Sequence, residues 1–193
     1  MSLDEIDWQL ITELQLNGRK TYKELGKKIG FTSLGAKKRV DKLLKKGIIN
    51  VSALVNTDSL NLCLALIMLE TESAEAMRKI IERYSRCPRV INVFTTMGGY
   101  NLIALVMAEN QTTLESESVE KCALRSGEGI RRSEFYLIGR VHHTPFLPLK
   151  AGALHGKGDV APCGVQCNCC QSFIERKCVG CPTLSYYRGP LKW

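Results

Sequence analysis

Six cysteines fall close together near the end of the chain, in CGVQCNCCQSFIERKCVGCP: Cys163, Cys167, Cys169, Cys170, Cys178 and Cys181. They parse as CxxxC (163, 167) and two CxxC pairs (167, 170 and 178, 181), with Cys169 left over. Two thiolates one turn apart grip a single ion, and two such pairs complete a tetrahedral zinc site with Zn–S near ~2.3 Å. Only residues 171–177 separate the pairs, a shorter loop than zinc ribbons use. A [4Fe–4S] cluster needs the same four thiolates: CxxxCxxC brings three together, and a remote Cys181 followed by Pro182 has the form of ferredoxin-type ligation. Disulfides are the third reading. The metal-ligating set is therefore Cys163, Cys167, Cys170, Cys178 and Cys181, with zinc as the cofactor and a [4Fe–4S] cluster as the alternative. Cys63, Cys87 and Cys122 lie in apolar stretches and read as small buried hydrophobes.

A second set of chemistry-bearing residues lies at the other end. Between Arg19 and Lys46 eleven basic residues face only Glu24 and Asp41, a density that favours a polyanion, nucleic acid above all. The whole chain carries 27 Lys+Arg against 19 Asp+Glu, a net charge of +8. The surplus is not spread evenly: basic and acidic residues number 11 and 6 in residues 1–56, 10 and 11 in 57–148, and 6 and 2 in 149–193.

Apolar periods show what must hold those cations. Leu3, Ile6, Leu10 and Leu14 recur every three or four residues, which predicts a helix ended by Asn17 and Gly18. Thr21 and Glu24 form a capping box opening a second helix, with Leu25 and Ile29 inward and Gly30 as its stop. Thr32 caps a third, SLGAKKRVDKLLKKG, which buries Ala36, Val40 and Leu43 and ends at Gly47. Two short helices across a tight turn, the second basic, make a helix-turn-helix. The start of a recognition helix meets base edges while flanking cations hold phosphates. That assigns Ser33, Lys37 and Lys38 to the groove of double-stranded DNA and Arg19, Lys42, Lys45 and Lys46 to its backbone, with the capping Thr32 also among the DNA-binding residues. The same residues fit a three-helix bundle with a solvated basic face. Gly35, costly inside a helix by about 1 kcal/mol, reads as a close approach to DNA or to the neighbouring helix.

Further on, LCLALIMLE is a continuous apolar run fit for a buried strand, SAEAMRKIIERYSR is helical, and RVINVFTTM and LIALVMAE are strands across GGYN. QTTLESESVEKCAL is helical and IRRSEFYLIGRV is a last strand. The order βαββαβ is ferredoxin-like, with both helices on one sheet face. An apolar face left open predicts homodimerisation. The stretch KAGALHGKGDVAPC, with Gly152, Gly156, Gly158 and Pro162, reads as a flexible linker to the cysteine-rich tail. The fold class is thus α+β in three parts. Residues 1–56 form the DNA-binding domain with a connecting strand, 57–148 the ferredoxin-like domain, and 149–193 the linker and tail.

Acidic residues at the start, where a secretory signal is basic and then apolar, predict no export, and no apolar run approaches the ~20 residues of a bilayer span. A cytoplasmic location follows, with reduced thiols and therefore metal ahead of disulfides. No paired acid and base residues suggest an enzyme.

The stretch LDEIDWQLITELQLNGRKTYKELGKKIGFTSLGAKKRVDKLLKKGII resembles the N-terminal domain of the Lrp/AsnC, or feast/famine, transcriptional regulators. The likeness lies in its opening Leu-Asp-x-x-Asp, the NGR, the capped second helix, and the RV and GII pieces. The resemblance implies a winged-type helix-turn-helix and, in residues 57–148, an effector domain that forms dimers and often octameric rings. It also implies an amino-acid-like effector at a GxYD-like turn, here Gly98, Gly99, Tyr100 and Asn101. Glycine lets backbone N–H groups face a carboxylate there. Asn101 departs from the family's Asp, which puts an ammonium partner in doubt, and without the resemblance GGYN is also a plain hairpin turn. The tail lies outside the family pattern and is similar to small domains of the form CGxxCxxC…CxGC, a likeness that names no metal. Together these give a sequence-specific DNA-binding regulator responding to a small effector and, through the tail, to metal or redox state. The alternative is an architectural DNA-binding protein with a structural zinc tail.

Overall fold

In unit 1 of the computed structural model, which describes residues 2–155 and 158–191, three helices pack round one small core. The chain divides into units between Ala53 and Leu54. Helix α1 spans Glu5–Leu16, with the Asp4 carboxylate accepting from Asp7 N at 2.8 Å. Helix α2 spans Tyr22–Ile29 behind the expected capping box: Glu24 N donates to Thr21 Oγ1, and Thr21 N donates to the Glu24 carboxylate at 2.7 Å. Helix α3 spans Ser33–Lys45, with Thr32 Oγ1 accepting from Gly35 N. Leu10, Leu25, Ile29, Ala36 and Val40 form the core, and each large aliphatic among them contributes about 1.5–3 kcal/mol by leaving water. Gly26 makes the α2–α3 turn possible: a Cβ there would stand 2.7 Å from the Phe31 carbonyl oxygen. Gly35 is likewise close to a neighbour, namely the Phe31 ring of the turn, 3.2 Å from where its Cβ would lie.

Unit 2 is built on a four-stranded antiparallel sheet in the order β3-β4-β2-β5, from Cys63–Thr71 (β2), Val90–Thr95 (β3), Leu102–Ala108 (β4) and Ile130–Ile138 (β5). This is the ferredoxin-like order, because each helix, α4 (Ala74–Tyr84) and α5 (Gln111–Val119), crosses from one strand to the next but one. Ala65, Ile67, Leu69, Ala104 and Val106 bury one face against Ile80, Tyr84 and Leu114 of the helices. On the other face Leu64, Ile91 and Met107 are covered by Val141, Leu147 and Leu149. Beyond that cover the face stays open. Phe94 pairs with Ile103, Ile103 with Met68, and Leu66 with Tyr136, and Phe94 and Tyr136 are about half exposed. The connecting strand expected at the end of residues 1–56 is β1, Val55–Asn56, which pairs with β6, Phe146–Leu147, within unit 2.

The cysteine-rich segment has a small core of its own and is also tied to the sheet body. Ala161, Cys167, Phe173, Cys181 and Leu184 pack together, Phe173 meets Tyr186 edge-on, and a short helix α6 spans Gln171–Ile174. In the stretch read as a linker, Ala151–His155 is a 3-10 turn and Gly158 bridges to Leu184; Gly156 lies outside the described residues. Ties to the body come from Arg83 Nε to Cys163 O at 3.2 Å, Ser172 Oγ to Glu120 at 2.5 Å and Arg89 to Gly180 O at 2.6 Å.

Candidate nucleic-acid interface, effector turn and thiol cavity

On α3 the buried stripe Ala36, Val40, Leu43 leaves the opposite side to solvent. Ser33, Lys37, Lys38, Lys42, Lys45 and Lys46 are exposed there, as are Thr32 and, before α2, Arg19. The free N–H groups of the first turn add a partial positive charge to this end. The one cation of α3 turned inward is Arg39. Its guanidinium donates to Asp4 at 2.7 Å and to buried Asp7 at 2.8 Å, and lies over the Phe31 ring. Arg39 holds the Asp4 carboxyl below its ordinary range by that hydrogen bond. It fixes α3 on α1 and leaves the groove-facing side to the lysines.

The turn of Gly98, Gly99, Tyr100 and Asn101 joins β3 to β4. Its glycines are exposed, but Asn101 faces inward: its Oδ1 accepts from Thr71 N at 2.9 Å and Thr71 Oγ1 at 3.1 Å, and its Nδ2 donates to Thr71 O at 3.0 Å. The amide oxygen accepts twice and its nitrogen donates once, so Asn101 locks the turn, with one Nδ2 N–H not used by Thr71. Charge at this place comes from β5 instead. The Arg132 guanidinium lies 4.4 Å over the Tyr100 ring and crowds Gly99, and the Tyr100 and Tyr136 hydroxyls both donate to the Glu134 carboxylate. Those hydroxyls, Tyr100 first, hold the Glu134 carboxyl below its usual range. Sequence reasoning missed Arg132, Glu134 and Tyr136. Their signal was the period of two in RSEFY, which sets all three on one face of an edge strand.

In the cysteine-rich segment, Cys163, Cys167, Cys170, Cys178 and Cys181 all line one cavity of about 590 Å³. Cys169 also reaches its wall, yet it is exposed and its thiol is turned to Asn168. Two cysteines read as core fillers, Cys87 and Cys122, line the cavity from the sheet body. Among the described residues no three His, Cys, Asp or Glu side chains stand close enough to hold a metal ion. Burial pushes the Cys87 and Cys167 thiols up to about 12 and raises those of Cys170, Cys178 and Cys181 as well. A metal entering here would therefore have to displace protons.

Beside the thiols is a buried ion group that the sequence did not disclose. The Arg89 side chain is 6% exposed; it donates to Glu109 at 2.6 Å, to Glu117, and to the Gly180 carbonyl at 2.6 Å. Tyr187 completes the group by donating to Glu109 at 2.5 Å. Burial drives the Glu117 carboxyl up to about 7 against the pull of Arg89. Arg89 Nε alone has no partner among the buried side-chain nitrogens and oxygens of the described residues.

Residues 3–50 match the family model described as a winged helix-turn-helix DNA-binding domain. The chain is 30% identical over 118 residues to the HTH-type transcriptional regulator PF2053 of Pyrococcus furiosus, covering 61% of this chain and 80% of that one. Its fold is that of Escherichia coli AsnC, with a TM-score of 0.65 at 21% identity over 75% of this chain and 98% of that one. The same holds for the Neisseria meningitidis transcriptional regulator NMB0573, solved in complex with L-Met, with a TM-score of 0.66 at 23% identity over 77% and 98%. With a basic recognition helix in unit 1 and a ferredoxin-like sheet in unit 2, the chain belongs to the Lrp/AsnC family of DNA-binding helix-turn-helix transcriptional regulators.

Proposed function

We propose that this regulator works in the cytoplasm as a sequence-specific homodimer, set by a small amino-acid-like effector at the Tyr100 turn and by a thiol-bound metal in the tail. The observation that carries the DNA reading is the α3 surface: Thr32, Ser33, Lys37 and Lys38 are all exposed at the helix start, with no acid among them. Dimerisation is supported by the open sheet face, where Phe94 and Tyr136 are about half exposed. An apolar surface of that kind is stabilised by a second copy. Closure into an octamer would use further surfaces of the same unit. The experiment is footprinting on genomic fragments that the protein itself selects. Two protected half-sites about one helical turn apart, or a multiple of it, are expected; protection spreading along any sequence would replace this reading with an architectural one.

For the effector, a zwitterionic amino acid needs a cation for its carboxylate and an anion for its ammonium. Arg132 and Glu134 supply both beside the exposed glycines Gly98 and Gly99, and Glu134 brings the negative charge that the Asn101 amide lacks. L-Met bound to the Neisseria regulator is one precedent for such a ligand in this fold. Calorimetric titration with the common amino acids is expected to find one that binds the full chain. Arg132→Ala and Glu134→Gln should each weaken it by about tenfold or more, the loss of a charge-assisted hydrogen bond of ~1.5–3 kcal/mol. Unchanged affinity in both variants would move the effector away from this turn.

A further inference from the structure

The tail's cysteines share their cavity with thiols from the sheet body, and one of those has the same local geometry as its tail counterparts. In the tail, Gly180 N donates to Cys178 Sγ at 3.4 Å, a backbone N–H two residues on turning back to the sulfur. At Cys170 the Phe173 N–H and then the Ser172 N–H turn back to the sulfur, and at Cys181 the Thr183 N–H does. Cys87 repeats the pattern with the Arg89 N–H. Cys87-Pro88 also repeats the Cys-Pro step of Cys181-Pro182. Such N–H donors to sulfur orient and stabilise metal-bound thiolates.

A free donor and size point the same way. Arg89 is paired with Glu109 and Glu117, and its Nε is the one buried side-chain nitrogen or oxygen without a partner among the described residues, on the wall of this cavity. Around a single zinc, four thiolates crowd to about 3.8 Å from one another, as ~2.3 Å bonds require. A cavity of about 590 Å³ lined by eight cysteines has room for a larger centre. A [4Fe–4S] cube spreads its four thiolates round four irons and four sulfides.

We infer that this cavity is the site of an iron–sulfur cluster, with Cys87 of the sheet body supplying one ligand, tail cysteines the others, and Arg89 Nε a hydrogen-bond donor to it. The inference rests on the tail metal proposed above and adds its class and a ligand outside the tail. On assembly from two ferrous and two ferric ions, each ligating thiol releases its proton to solvent as iron takes its place, and four sulfides supply the bridges with no change of oxidation state. The cluster would bond the tail to the start of β3.

The test uses the full chain, purified anaerobically and loaded with equal amounts of ferrous and ferric iron plus sulfide, with zinc alone in a parallel sample. About four irons and four sulfides per chain with a broad visible absorption are expected. Cys87→Ser and Cys87→Ala should each lower iron content by about tenfold or leave a three-iron paramagnetic signal, while Cys63→Ser, outside the cavity, should match the parent. Thermal melts of the metal-free variants report their folding. Independently of any variant, Cys87 in the parent chain should be alkylated in a brief pulse of mild urea without the cluster and protected in the same pulse with it. Full iron and an unchanged spectrum in both Cys87 variants, or alkylation of Cys87 in the loaded chain, overturns the inference. If serine at Cys167, Cys170, Cys178 and Cys181 still abolishes metal binding in that event, the tail reading stands. One zinc per chain and no sulfide overturns the cluster and also leaves the tail reading standing. No retained metal of either kind overturns both.

Discussion

Arg89→Met is expected to lower the melting temperature of the full chain by about 6–20 °C. Removing one partner of a buried ion group costs about 3–5 kcal/mol, and each kcal/mol moves the melting point of a chain this long by about 2–4 °C. The cost comes from what is left behind. Glu109 and Glu117 lose their cation, and the Gly180 carbonyl loses its donor. Methionine fills the volume but answers none of these groups. Because Gly180 belongs to the tail and Glu109 also accepts from Tyr187, the same change should loosen the tail from the sheet. Trypsin would then cut faster at exposed Arg176 and Lys177.

The deficit should depend on pH, with a definite sign. In the folded chain the Glu117 carboxyl stands near about 7, above the ~4.3 of an exposed glutamate. Between those values the folded chain holds more protons than the unfolded one, so Glu117 subtracts stability as pH rises through the window. Taking away Arg89 removes the one pull that keeps this carboxyl ionised and moves its folded-state value further up. The variant therefore recovers more stability on acidification than the parent does. The gap between the two is expected to be largest near pH ~8 and to narrow toward pH ~5. Melts of both proteins at three pH values measure it, and a gap that widens on acidification would show that Arg89 is not the counter-charge of Glu117.

Local codes were readable in the sequence, while pairings across the fold were not. Thr21 and Glu24 meet three residues apart, so the capping box appears in the chain as written and in the structure as hydrogen bonds. The stripe Ala36, Val40, Leu43 fixes the outward side of α3 by helical period alone. The turn position of Asn101, by contrast, says nothing of Thr71, thirty residues earlier, to which its amide is bound. Arg89 contacts Glu109, Glu117 and Gly180, the last 91 residues away, and Cys87 shares a cavity with a tail that begins more than 70 residues later. Those partners meet only because the segment after β6 returns to lie against α5 and the start of β3. An apolar neighbourhood made Cys87 look like filler, and the backbone N–H at its sulfur is invisible to composition.

Replacing Arg19, Lys42, Lys45 and Lys46 together with alanine is expected to weaken operator binding by on the order of a thousandfold near ~0.15 M salt. The argument is counterion release: each phosphate contact removes one condensed ion, contributing ~0.9 to the slope of log affinity against log salt. Four lost contacts should flatten that slope by about three to four units, which makes the loss large at low salt and progressively smaller as salt rises. All four side chains are exposed, and α3 keeps its buried Ala36, Val40 and Leu43, so the fold of unit 1 should be unaffected. Ser33, Lys37 and Lys38 act differently if they reach base edges. Alanine at each should cost about 1–3 kcal/mol on the selected operator while affinity for random DNA changes less, because base contacts specify and phosphate contacts position. Fluorescence anisotropy with operator and scrambled duplexes between 50 and 200 mM salt separates the two classes. A slope that the fourfold alanine variant leaves as steep as the parent's would remove these cations from the interface. Equal losses on operator and scrambled DNA for the α3-start variants would mean that its lysines hold backbone, and that sequence is read elsewhere.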